Sequence, residues 1–114
     1  MVQNRNKLII LLVGNISNSI IHIILEQSVN KPELTDKYRK ESISSFEIAK
    51  KYREKMNPLA EFFPQNDIEY IKKRIIIKVT AELRRRIASG YKNINLSLVE
   101  REVNRAMKIL KISS

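Results

Sequence analysis

The stretch Leu8–Leu25, LIILLVGNISNSIIHIIL, holds twelve strongly apolar residues in eighteen, and its reading decides the fold. A membrane span, an export signal and a buried core helix would all supply such a run. Gly14, Asn15, Ser17, Asn18, Ser19 and His22 interrupt it, and polar groups in hydrocarbon are costly, so it makes a poor span. Arg5 and Lys7 precede it and Ser17-Asn18-Ser19 offers small residues, but Leu8–Val13 is short for the apolar region of a signal peptide. At about 100° per residue, Ile9, Ile10, Leu12, Val13, Ile16, Ile20, Ile21, Ile23, Ile24 and Leu25 fall on one arc wider than half a helix. Asn15, Asn18, Ser19, His22 and Glu26 gather on the strip that remains. The period is helical, with no alternation of two, and the width of the arc implies contact from several sides. The spacing therefore predicts a central helix over about residues 3–29.

The rest of the chain supplies partners for it. With two Gly and three Pro in 114 residues there is room for few connections, which favours a handful of long helices. Lys31-Pro32-Glu33 reads as a restart, and Leu34, Tyr38, Ser42, Ser45, Ala49, Tyr52 and Met56 then recur at three- and four-residue spacing, with Phe46 and Ile48 widening the stripe. The small residues in mid-seam admit a closely packed helix. Asn57-Pro58 ends this second helix, and Phe62-Phe63 are expected to plug one end of the structure. Asn66 to Glu69 has the form of a capping box opening a third helix, with Ile68, Ile71, Ile75, Ile76, Val79, Leu83 and Ile87 inward and Gly90 beyond its end. Ser97 to Glu100 repeats that form before a shorter helix with Val99, Val103, Ala106, Met107 and Leu110 inward and a frayed tail after it. The expectation is all-α: one domain, a small up-down helical bundle of three long helices and one short C-terminal helix, over about residues 3–29, 32–56, 67–89 and 98–110.

Little catalytic chemistry is encoded. One histidine and no cysteine exclude a disulfide framework and a tetrahedral zinc site, and no glycine-rich phosphate loop is present. No Glu-x-x-His pair occurs of the kind a di-metal bundle uses, and His22 reads as a hydrogen-bonded, partly exposed structural residue. The sequence points to a non-enzyme with no catalytic residue, no cofactor and no metal. Pro32–Arg39 followed by Ala49–Arg53 and Pro58 resembles the helical part of an archaeal ribonuclease P protein subunit over about thirty residues. That family's zinc-ribbon cysteines are absent here, so no residue's role carries across.

Charge is the positive signal. Net charge is +10, and residues 64–114 carry twelve basic and five acidic groups of it, for +7. Such a half attracts polyanions. On the third helix Lys73 and Arg84 flank one side, and Arg74, Lys78 and Arg85 the other, of a second stripe formed by Tyr70, Ile77, Ala81 and Ala88. Arg101, Arg105 and Lys108 extend the basic set onto the fourth helix. Cations beside a partly apolar strip suit phosphate contacts with sugar or base packing next to them, so nucleic acid is the expected partner. The alternative is a homo-oligomer or protein adaptor using Tyr70, Ile77 and Ala81, or the Phe62-Phe63 segment. A helix-turn-helix is disfavoured because Gly90–Leu96 is longer than the turn of that motif. Membrane contact is not expected, and the protein reads as cytoplasmic.

Overall fold

A computed structural model of the chain describes residues 4–56 and 61–114. These form four helices and no strand: α1 Arg5–Ser28, α2 Pro32–Met56, α3 Gln65–Ala88 and α4 Leu98–Ile109. Paired residues give their directions. Ser19 meets Ser42 and Glu26 meets Arg39, so α1 and α2 are antiparallel. An ion pair between Arg5 and Asp67 joins the starts of α1 and α3, while Tyr91, just past α3, reaches Tyr38 near the start of α2. The end of α4 returns to the end of α2 through Arg53. The bundle is therefore up-down-up-down, as the spacing predicts.

α1 occupies the middle. It packs against all three other helices and α4 packs on α3, but the backbone of α2 approaches neither α3 nor α4 closely and meets them only through side chains such as Arg53. Leu12, Ile16, Ile20, Ile24 and Leu25 are wholly enclosed, facing Ile71, Ile75, Val79 and Leu83 of α3 and Val103 and Met107 of α4 in one cluster. Each such side chain contributes about 1.5–3 kcal/mol by leaving water. By length and hydropathy α1 would be able to cross a membrane; in this fold 67% of its most apolar window is buried against the other helices.

Toward α2 the surface of α1 is polar, and α2 answers in kind. Ser19 donates to the carbonyl of Ser42 at 2.9 Å and Ser42 donates back to that of Ser19 at 3.0 Å. Asn18 reaches the Ser45 hydroxyl at 2.6 Å, and Ala49 is fully buried farther down α2. The strip that the sequence leaves outside the apolar arc is thus an interface. His22, expected partly exposed, is buried: Nδ1 bonds the Asn18 carbonyl at 2.7 Å and Nε2 lies 2.5 Å from Glu41.

Several local expectations are corrected. Ile10 and Ile87 are exposed, because each arc is wider than the surface its neighbours cover; Ile48 is exposed for the same reason. Neither capping box forms. α3 begins one residue earlier than Asn66, behind Pro64, which places Asn66 inside the first turn. Before α4, Ser97 gives its hydroxyl hydrogen to Asn95 at 2.6 Å and so does not cap the helix. Gly90 does take the left-handed conformation, φ 106°, and Asn93 shares it at φ 67°.

The C-terminal tail is not frayed. Lys111 turns left-handed at φ 57° and the Ile112 amide bonds the Met107 carbonyl at 2.9 Å, closing a Schellman-type end. That turn drives Ile112 into full burial, and its carbonyl accepts from the Phe63 amide at 3.1 Å.

Candidate functional site: the basic surface of α3 and α4

α3 buries a single stripe, Ile71, Ile75, Val79 and Leu83, at four-residue steps. Its opposite side carries the second stripe intact. Tyr70 is 52% and Ile77 46% exposed, and Ala81 and Ala88 lie open beside them. Among the described residues, the side chains of Lys73, Arg74, Lys78 and Arg84 make no ion pair or hydrogen bond, so their charges are uncompensated. Arg85 differs: it sits 3.2 Å from Glu82, the only acid between Tyr70 and Ala88.

The cations on α4 divide. Arg101 and Lys108 are exposed and unpaired among the described residues, pointing away from the core on the helix that Lys72–Glu100, at 3.6 Å, ties to α3. Arg105 turns toward α2, lines the groove there and lies 3.8 Å from the buried Glu102. Seven of the eight proposed nucleic-acid contacts thus lie on α3 or on the outer side of α4, and Arg105 does not join them.

Because α2 stands off from α3, a shallow groove opens along α1. Gly14, Ser17 and Ala81 keep it wide, at about 450 Å³, and Lys78, Arg85 and Arg86 line its α3 side. The Ser17 hydroxyl, 3% exposed, makes no hydrogen bond to any described residue. Buried polar atoms are normally paired, so this hydroxyl stands out in a groove where Glu82 pairs with Arg85 and Arg86 and Lys78 has no partner among the described residues.

At the far end of α3 a chain of hydrogen bonds joins the helix end to α2. Arg86 bonds Glu82 at 2.8 Å, stacks on the Tyr91 ring at 5.4 Å and donates to its hydroxyl at 3.3 Å. The bond to Glu82 raises the Arg86 pKa above its ordinary value. Tyr38 lies 3.4 Å from Tyr91, hydroxyl to hydroxyl. Their hydrogen bond raises Tyr38 and lowers Tyr91, with the nearby guanidinium adding to the fall.

The Phe62-Phe63 pair splits. Phe63 is buried, as a plug should be, under the Arg53 guanidinium at 4.8 Å; Phe62 is 55% exposed. The residues just before this pair, 57–60, lie outside the described part. Arg53 itself is 4% exposed, and the sequence reading missed it. It donates to the carbonyls of Leu110 at 2.7 Å, Lys111 at 2.9 Å and Glu61 at 2.7 Å. A cation at the carbonyl end of α4 is favoured by the helix dipole, and a planar five-donor group can serve three chain segments at once. Burial lowers its pKa, without removing its charge at neutral pH. The available signal was its position: Arg53 follows Tyr38, Ser42, Ser45 and Ala49 on the inward side of α2.

Among the described residues no three His, Asp or Glu side chains gather in a set that could hold a metal ion. Comparison with models of known families, with curated proteins and with solved structures finds no match to this chain.

Proposed function

We propose that this chain is a non-enzymatic, cytoplasmic helical bundle that binds nucleic acid through the outer surface of α3 and the adjoining side of α4. The observation that carries the reading is the set of six exposed cations, Lys73, Arg74, Lys78, Arg84, Arg101 and Lys108, unpaired among the described residues. Some cations elsewhere are neutralised, Arg39 by Glu26, Lys40 by Asp36 and Lys50 by Glu47. Others, such as Lys7, Lys37 and Lys51, are exposed and unpaired among the described residues but lie scattered over α1 and α2. Unpaired cations gain from phosphate contact without first losing an internal partner, and Tyr70 and Ile77 offer apolar surface for a sugar or base between them. The span from Lys73 to Arg84 is about 16 Å of helix, long enough to follow several successive phosphates.

Filter binding of single- and double-stranded DNA and RNA over a range of salt tests this. Full use of six cations gives a slope of log affinity against log salt between about −4 and −5. Substituting Arg74 and Lys78 together with Gln flattens it by up to about 2. Failure to bind any of these at low salt sinks the proposal. Retention of the full slope in the double variant moves the contact elsewhere.

A further inference from the structure

At the end of the bundle where α3 begins, Phe62 stands 55% exposed beside the buried Phe63. It lines an open recess of about 440 Å³ together with Lys108, Lys111, Ser113 and Ser114. No Asp or Glu is among the described residues that line it. The side chains of Lys108 and Lys111 are exposed and make no ion pair or hydrogen bond among the described residues. An aromatic ring thus lies open next to two uncompensated cations. The recess is held on both sides. Arg53 donates to the Glu61 carbonyl at 2.7 Å on one side and to those of Leu110 and Lys111 at 2.7 and 2.9 Å on the other. The Phe63 amide bonds the Ile112 carbonyl at 3.1 Å, and Phe63 and Ile112 are both buried. Phe62 therefore needs little ordering when a ligand arrives. Lys111 supplies a second sign. Its φ of 57° is the left-handed conformation that a helix end usually gives to glycine, and a Cβ is strained there. A strained position that keeps a cation points to a use for that cation.

We infer that Phe62 is a stacking platform for an unpaired base, and that the nucleic acid this chain binds is single-stranded. The inference rests on the proposed nucleic-acid binding and narrows its substrate class. The cations of α3 answer to phosphate alone and accept a duplex as readily as a strand. A ring face is more selective. In a duplex each base is covered by the next pair, whereas an unpaired base is free to lie on an aromatic side chain. Lys108 and Lys111 beside the ring then meet phosphates next to the stacked base. Lys108 belongs both to this recess and to the outer basic set of α4, so the two surfaces are continuous. A protein partner would also cover an exposed phenylalanine, but two unpaired lysines and no acidic side chain around the ring favour a polyanion.

The chain has no tryptophan, so Phe62→Trp places a single fluorescent reporter in the recess. The position is half exposed, so substitutions there keep the fold, which circular dichroism verifies. The probes are a short oligothymidylate and a covalently closed duplex without free ends. The oligothymidylate quenches the indole emission to saturation, and the closed duplex does not, even when bound. Phe62→Ala weakens oligothymidylate binding about 5- to 150-fold, the worth of one stacked base. It leaves duplex affinity and both salt slopes unchanged, because no charge is lost. Lys111→Gly suits the left-handed position, so it keeps the fold stable while lowering the single-strand salt slope by about 0.7. Absence of quenching while filter binding shows the strand bound overturns the inference, and so does a Phe62→Ala variant that binds the strand as the wild type does. Those two outcomes leave the proposed function standing. Emission that shifts with protein concentration alone gives the ring to a contact between copies and overturns the inference too. Failure to bind either probe at low salt ends this inference and the proposed function together.

Discussion

α1 is buried on two unlike sides, and the contrast explains how the bundle is held. Toward α3 and α4 it presents isoleucine and leucine to isoleucine, valine and methionine, a contact whose strength scales with area and tolerates small shifts. Toward α2 it presents Asn18, Ser19, His22 and Glu26 to Ser45, Ser42, Glu41 and Arg39, each meeting one partner. Hydrogen bonds of this kind add only about 0.5–1.5 kcal/mol net, but an unmade one costs more than a made one gains. The apolar side supplies stability and the polar side supplies register. A slide of α2 by one turn would leave serines and a histidine buried without partners, whereas the same slide on an all-isoleucine seam would cost far less.

The largest blow to this comparison falls on the apolar side. Leu83 is fully buried, and Leu83→Ala loses about 3–5 kcal/mol through lost burial and the cavity left behind. Denaturant unfolding measures it, and a loss under 1 kcal/mol would mean that this side does not dominate. Next comes the anchor at the end of α2. Arg53→Ala leaves one buried and two partly buried carbonyls without this donor and removes the packing on Phe63, costing about 2–4 kcal/mol. Arg53→Lys recovers only part, since an ammonium cannot span all three acceptors in one plane. Amide exchange in Arg53→Ala should quicken in α2 and in residues 110–114 before it quickens in α3.

The serine seam is predicted to behave differently from either. Ser19→Ala and Ser42→Ala each cost about 1 kcal/mol, because each leaves the other serine and a carbonyl short of a partner. The double substitution costs clearly less than the two together, since removing both hydroxyls removes the unmet demand. Strict additivity in that cycle would show that the two hydroxyls do not act as a pair, and the register argument would fall with it.

How much of this the sequence showed depends on whether a feature repeats. The isoleucine periods of α1 and α3 recur over six turns and place the core residues; Ser42, Ser45 and Ala49 likewise announce a close contact. Single contacts left no such trace. Arg53 looked like one more lysine or arginine on a charged helix, although its inward position was readable. Glu102, on the edge of the inward arc of α4, gave no sign of burial because what encloses it comes from α1 and α2. The capping boxes failed because a four-residue pattern fixes a helix start only when no neighbour competes: Pro64 starts α3 sooner, and Asn95 takes the Ser97 hydroxyl. The basic ridge was readable as charge on one side of a helix. Which cations stay unpaired was not, because Glu82 and Glu102 select Arg85 and Arg105 by distances that only the fold sets.

The smallest predicted effect concerns a further tie between α2 and the rest, the Tyr38–Tyr91 pair. The Tyr38 and Tyr91 hydroxyls share a hydrogen bond and the Tyr91 oxygen also accepts from Arg86, so a negative charge is better tolerated on Tyr91 than on Tyr38. In an alkaline titration followed by phenolate absorbance, Tyr91 should ionise first of this pair, below the ordinary tyrosine value, and Tyr38 above it. The sign of the linkage follows. The lowered folded pKa of Tyr91 adds stability as the pH rises through that pKa, complete by the ordinary tyrosine value of about 10. The raised pKa of Tyr38 takes stability away as the pH climbs from about 10 through its folded pKa. The two contributions oppose each other, so net stability changes little while the spectrum separates them. Tyr91→Phe removes the early phenolate and lets Tyr38 fall back toward its ordinary value, because its chief perturbing partner has gone. If Tyr38 stays high in that variant, burial and not the Tyr91 hydroxyl sets its pKa, and the tie between α2 and the end of α3 is packing alone.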